Sequence, residues 1–148
     1  CALRSERLVV AETNLDDMNP EIFPFVMGRL FSRGALDVWL TPIQMKKGRP
    51  AVQLSFLARP GQVEDLLSVL LTETTTLGVR TYPVERRAVA REVRTVDSPW
   101  GPLKVKAVQR HGREEIVPEF EDCRRLAEET GIPLKDIYAK VSSLAADE

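Results

Sequence analysis

Apolar positions along this chain follow two rhythms, an alternation of period two and a recurrence every three or four residues, and the change from one to the other marks out its elements. Leu8 to Thr13 is a short, partly β-branched apolar run and predicts a strand. Asn19-Pro20-Glu21 is a helix start, with a capping side chain, a proline at the first helical position and an acid in the first turn. Ile22, Val26, Leu30 and Phe31 then recur at helical spacing until Gly34. Pro24 is awkward there, because proline lacks a backbone donor and predicts a kinked start. Leu36 to Thr41 predicts a second strand, and Val52, Leu54 and Phe56 alternate along a third. After Pro60-Gly61, Val63, Leu66, Leu67, Leu70 and Leu71 form one face of a second helix. From Val79 the chain is strand-like again to about Val96.

The order strand, helix, strand, strand, helix, strand is that of an α+β, ferredoxin-like split βαβ core. Right-handed crossovers would put both helices on one sheet face and leave the other open, to be covered by downstream elements or another copy of the chain. Downstream, Pro99-Trp100-Gly101-Pro102 predicts a tight connection to a strand over Leu103 to Val108, and a short strand follows at Glu115 to Val117. Two helices complete the pattern, Glu119 to Glu129 ended by Gly131, and Leu134 to about Ala145. The expected division is a ferredoxin-like core over 1–97, and a β-hairpin region with a helical pair over 98–148 packed as part of the same domain.

Composition narrows the function. The chain has 148 residues, 43% hydrophobic and 29% charged, and its net charge of -1 offers no global basic field for nucleic acid. The helical pair has a helix-turn-helix outline, but Glu128, Glu129, Lys135, Asp136 and Lys140 give it mixed charge, which does not suit DNA. No apolar run reaches the roughly 20 residues of a membrane helix. Two cysteines, Cys1 and Cys123, are too few for a disulfide framework, so a reducing, cytoplasmic setting is expected. A single histidine, His111, in a turn-like stretch leaves no nickel or zinc ligand set and no base for a covalent nucleophile. Carboxylates and phosphates still suffice for Mg2+ or Mn2+.

Three polar clusters interrupt the apolar pattern. Glu12-Thr13-Asn14-Leu15-Asp16-Asp17 lies between a strand end and a helix start, where Glu12, Asp16 and Asp17 suit a hard divalent ion or simply cap the helix. Met45-Lys46-Lys47-Gly48-Arg49-Pro50 sets three cations around one glycine, either a phosphate-binding loop or a solvated hairpin tip, and lacks the Walker spacing. Glu73-Thr74-Thr75-Thr76-Leu77-Gly78-Val79-Arg80 ends the second helix with hydroxyls that suit phosphate or ribose oxygens, or that satisfy their own backbone. Together they supply cationic, hydroxyl and acidic groups for a phosphate-bearing ligand.

The strings ETNLDDMNPEIF (Glu12 to Phe23), GALDVWLTPIQMKKGRP (Gly34 to Pro50), ETTTLGVRTYPVERR (Glu73 to Arg87) and PEFEDCRRLAEETGIPLKDIY (Pro118 to Tyr138) resemble the C-terminal half of the LarC family. Members of that family insert nickel into a pyridinium-3,5-bisthiocarboxylic acid mononucleotide, completing the nickel-pincer nucleotide cofactor of lactate racemase. They consume CTP, giving CMP and pyrophosphate, with Mn2+ or Mg2+. The resemblance implies a CTP-binding part of a cyclometallase (a lyase) that self-associates as a trimer or hexamer, with nickel and the pyridinium mononucleotide as substrates of the longer protein. It implies triphosphate contacts from Lys46, Lys47, Arg49 and Arg80, with Thr74, Thr75 and Thr76 near phosphate or sugar. Asp16 and Asp17 are its metal candidates, and Glu12, Asn14 and Arg86 are weaker members of the site. The alternatives are an oligomerisation module, or a nucleotide-sensing ferredoxin-like domain without catalysis of its own.

Overall fold

A computed structural model describes residues 3–144. Its elements run β1 (Leu3–Leu15), α1 (Phe23–Ser32), β2 (Asp37–Gln44), β3 (Pro50–Ala58), α2 (Val63–Glu73), β4 (Arg80–Val89), β5 (Arg91–Ser98), β6 (Gly101–Arg110), β7 (Arg113–Pro118), α3 (Phe120–Thr130) and α4 (Leu134–Ser143). They form two compact units, one over Ser5–Arg86 and one from Arg87 onward, with Leu3 and Arg4 belonging to the second.

In the first unit, a four-stranded sheet has the order β2-β3-β1-β4, the split βαβ arrangement that the sequence predicts. Its register sets Ala11 opposite Phe56 and Thr13 opposite Leu54, with Val38 opposite Phe56 on the far side of β3. One face of this sheet carries Ala11, Leu15, Val38, Leu54, Phe56 and Ala58. These pack on Phe23, Val26 and Leu30 of α1 and on Val63, Leu66 and Leu70 of α2. The apolar alternation of the strands and the helical stripes therefore meet in one core.

Pro24 causes no kink. A single 3-10 turn over Pro20–Ile22, capped by the Asn19 side chain, precedes α1, so Pro24 falls in the first helical turn where its missing N–H has no partner to lose. Gly34 ends the helix at φ 96°, a conformation open to glycine but strained for other residues.

The second unit has a three-stranded antiparallel sheet, β5-β6-β7. Leu103 and Val105 of β6 pack against Cys123 and Leu126 of α3 and Ile137 and Val141 of α4, a core of its own. Burial pushes the Cys123 thiol above its ordinary value, and the Asp122 carboxylate pushes in the same direction. The expected single strand from Val79 to Val96 is two strands, β4 and β5, which part at Ala90 and join different sheets. β5, assigned from the sequence to the core over 1–97, pairs along its length with β6 instead. The compact units accordingly divide at Arg86 and Arg87, not after residue 97. The last helix ends at Ser143, and Ala145 and Cys1 lie outside the described residues.

Candidate functional site

The three polar clusters converge at one end of the first sheet. β1 delivers Asp16 and Asp17 at its C-terminal end, the β2–β3 connection delivers Lys46 to Arg49, and the segment between α2 and β4 delivers Thr74 to Gly78. Contacts tie them together. Arg49 Nη1 donates to Asp16 Oδ2 at 3.4 Å, and Thr75 Oγ1 donates to Asp17 Oδ1 at 2.6 Å. Residues more than thirty and more than fifty positions apart are thus joined within one unit.

The β2–β3 connection is shaped by its glycine and by Lys47, which takes φ 62° inside a 3-10 turn. Met45 N–H donates to the Arg49 carbonyl at 2.8 Å and closes the loop. Among the described residues neither Lys46 nor Lys47 has an ion-pair partner, and both are exposed in the same loop as Arg49.

The threonines divide in role. Thr74 Oγ1 donates back to the Leu70 carbonyl at 2.6 Å and accepts from the Thr76 N–H at 3.2 Å. Thr76 Oγ1 donates to the Gly78 carbonyl at 2.8 Å and lies 2.5 Å from the Thr13 hydroxyl. Thr74 and Thr76 therefore hold their own loop, as threonines near helix ends commonly do. Thr75 is exposed and turns its hydroxyl toward Asp17.

Beside this end, the sheet face away from the helices carries Arg80. Its Nε donates to Glu12 Oε1 at 2.6 Å and its Nη2 to Asn14 Oδ1 at 2.9 Å. Gln53 Nε2 donates to the same Asn14 oxygen at 3.3 Å, and the Tyr82 hydroxyl donates to Glu12 Oε2 at 3.3 Å. Desolvation, and then the Glu12 carboxylate, raise the Tyr82 phenol above its ordinary value.

Two sequence-predicted residues lie apart from the Asp16 and Asp17 contacts. Arg86 pairs with Glu6 at 2.6 Å, six positions back along β1 from Glu12 and so about 20 Å from it by strand rise. Glu12 is held by Arg80 and Tyr82 on the sheet face away from the helices, and among the described residues no hydrogen bond joins it to Asp16 or Asp17. No group of three His, Cys, Asp or Glu gathers as a ready metal cage among the described residues. Asp16 and Asp17 remain as adjacent hard oxygen donors. A divalent ion held there would draw its remaining ligands from phosphate oxygens and water.

Three further residues belong to this network: Thr13, Gln53 and Tyr82. Thr13 reads as one more β-branched core residue, and only the fold brings it to Thr76. Alternation along β3 does place Gln53 on the face opposite Leu54 and Phe56, which is the one signal for it in the sequence.

Comparison with known proteins gives this geometry a family. The family model for nickel insertion proteins matches residues 2–138. A pyridinium-3,5-bisthiocarboxylic acid mononucleotide nickel insertion protein from Acetivibrio thermocellus is 44% identical over 137 residues, covering 93% of this chain and 34% of the relative. A relative from Dictyoglomus thermophilum is 44% identical over 143 residues, covering 97% of this chain and 37% of its own length. The chain thus spans about a third of the curated relatives it matches. Among solved structures, LarC2 in its apo form, the C-terminal domain of a cyclometallase involved in synthesis of the NPN cofactor of lactate racemase, aligns with TM-score 0.82 and 37% identity. That alignment covers 98% of this chain and all of the other. The protein MK0293 from Methanopyrus kandleri aligns with TM-score 0.67 and 25% identity over 98% of this chain and 92% of its own. The chain belongs to the nickel insertion protein family, LarC, and corresponds to its C-terminal domain.

Proposed function

We propose that this chain is the nucleotide-binding part of a nickel-inserting enzyme, holding CTP with Mn2+ or Mg2+ while the longer protein handles nickel and the pyridinium mononucleotide as substrates. The observation that carries this reading is the meeting of exposed Lys46 and Lys47, Arg49, the Thr75 hydroxyl and the Asp16–Asp17 pair at one sheet end. The lysines supply point charges for phosphate oxygens and Arg49 a planar fork. Asp16 and Asp17 suit the hard cation that accompanies a triphosphate. Arg80, exposed on the strand next to β1, directs Nε and Nη2 to Glu12 and Asn14 and keeps its remaining guanidinium N–H groups for phosphate or sugar. In the longer protein, CTP would be hydrolysed, with water taken up at the α–β phosphoanhydride, and would leave as CMP and pyrophosphate alongside a lyase-type cyclometallation.

Calorimetric titration of the chain with CTP, with and without Mn2+ and against ATP and GTP, tests the reading. Metal-dependent binding selective for CTP is expected. Absence of binding to every nucleotide overturns the assignment of the site to this chain. Light scattering on the same sample reads whether the chain assembles as the proposed trimer or hexamer.

A further inference from the structure

The hydrogen bonds around Asn14 fix which way two amides face. Asn14 on β1 stands directly opposite Gln53 on β3, and both are half-buried on the sheet face away from the helices. An arginine offers donors only, so the Asn14 atom that meets Arg80 Nη2 at 2.9 Å is the amide oxygen. Gln53 meets that same oxygen at 3.3 Å, so the Gln53 group pointing at it is the amide NH2. Two groups are left without a role in this network: the NH2 of Asn14, a donor, and the carbonyl oxygen of Gln53, an acceptor.

We infer that the Asn14–Gln53 amide pair reads the base of the bound nucleotide, taking a ring-nitrogen acceptor with the Asn14 NH2 and an exocyclic amino donor with the Gln53 oxygen. This rests on the nucleotide-binding reading above. Asn14 lies two residues before Asp16, about 7 Å along the strand from the proposed metal-triphosphate end. That is a separation a ribose can bridge. Cytosine presents N3 as an acceptor beside its N4 amino donor, whereas uracil presents N3–H and an O4 acceptor, the reverse of what the pair needs. Adenine shares the acceptor–donor edge on a larger ring, so the contrast that isolates the amides is CTP against UTP.

Two substitutions separate base reading from architecture. Asn14→Asp keeps an oxygen for Arg80 and for Gln53 but replaces the outward donor by an acceptor. Gln53→Leu removes the outward acceptor and leaves the Arg80–Asn14 bond in place. CTP and UTP are titrated against the wild type and each variant with Mn2+ present, and thermal unfolding reports whether the variants fold. The wild type is expected to prefer CTP, and each variant to lose about ten-fold of the CTP-to-UTP ratio. Using the ratio cancels any general repulsion between the carboxylate introduced by Asn14→Asp and the phosphates. A wild type that binds both nucleotides equally, or variants that weaken both in parallel, overturn the base-reading role while leaving nucleotide binding intact. A wild type that binds neither overturns the nucleotide site itself, and this inference with it.

Discussion

Thr13 shows how one hydroxyl in an apolar strand can set the geometry of a distant loop. It is 2% exposed, yet its Oγ1 reaches both the Thr76 hydroxyl at 2.5 Å and the Gly78 carbonyl at 3.0 Å. A buried hydroxyl is costly unless it is paired, so the strand and the Thr74–Gly78 segment are held to one arrangement. Thr13→Val keeps the shape and removes the oxygen. It is expected to cost about 1–2 kcal/mol of stability in urea unfolding and to raise hydrogen exchange at the Thr76 and Gly78 amides. Thr13→Ser restores the hydroxyl and should recover both readouts. A Thr13→Val protein with wild-type exchange in this loop would show that Thr13 does not hold it. In the sequence Thr13 falls within a polar cluster but its bonding role is invisible, because a β-branched side chain in a strand looks the same whether it packs or bonds. Thr74, Thr75 and Thr76 were legible as a cluster but not as three roles. Their division depends on which hydroxyl the turn aims at Leu70, Asp17 or Thr13.

Elements were legible where their signals are local. The helix stripes, Gly34, Pro60-Gly61 and Gly131 place α1, α2 and α3 within a few residues of expectation. The run from Val79 to Val96 was not, because its break at Ala90 has neither glycine nor proline and the charged alternation continues through it. Strand pairing decides that break, and pairing partners come from elsewhere in the chain. Glycine positions give the element scale a test with two signs. Gly131 caps α3 at φ 72°, with its N–H on the Ala127 carbonyl at 2.9 Å, so Gly131→Ala forces a side chain into the left-handed region. Gly28 sits mid-α1 with nothing within 4 Å of the place a Cβ would take. Gly131→Ala should destabilise by about 1 kcal/mol and Gly28→Ala should stabilise by about 0.5–1 kcal/mol, both read from denaturant midpoints. Shifts of the same sign would mean that one of these backbone conformations is misassigned.

At the scale of the whole molecule, charge is nearly balanced at -1, so long-range attraction cannot bring a polyanion to this chain. Under the proposed function that attraction has to be local. The sequence shows three cations in one loop and acids in another, but the sheet order β2-β3-β1-β4 is what sets the end of β1 beside the β2–β3 connection. Local attraction between exposed charges is screened by salt over a Debye length of about 10 Å at 0.1 M. Triphosphate affinity should therefore fall several-fold as NaCl rises from about 50 to 300 mM. The Lys46→Ala, Lys47→Ala double variant should bind CTP about ten-fold or more weakly at low salt, with a shallower salt dependence, since two of the screened charges are gone. Neither lysine is buried or ion-paired among the described residues, so folding and assembly should be unchanged. A double variant with wild-type affinity and salt slope would take the phosphate away from this loop. One that binds normally but fails to assemble would make the loop a subunit contact instead.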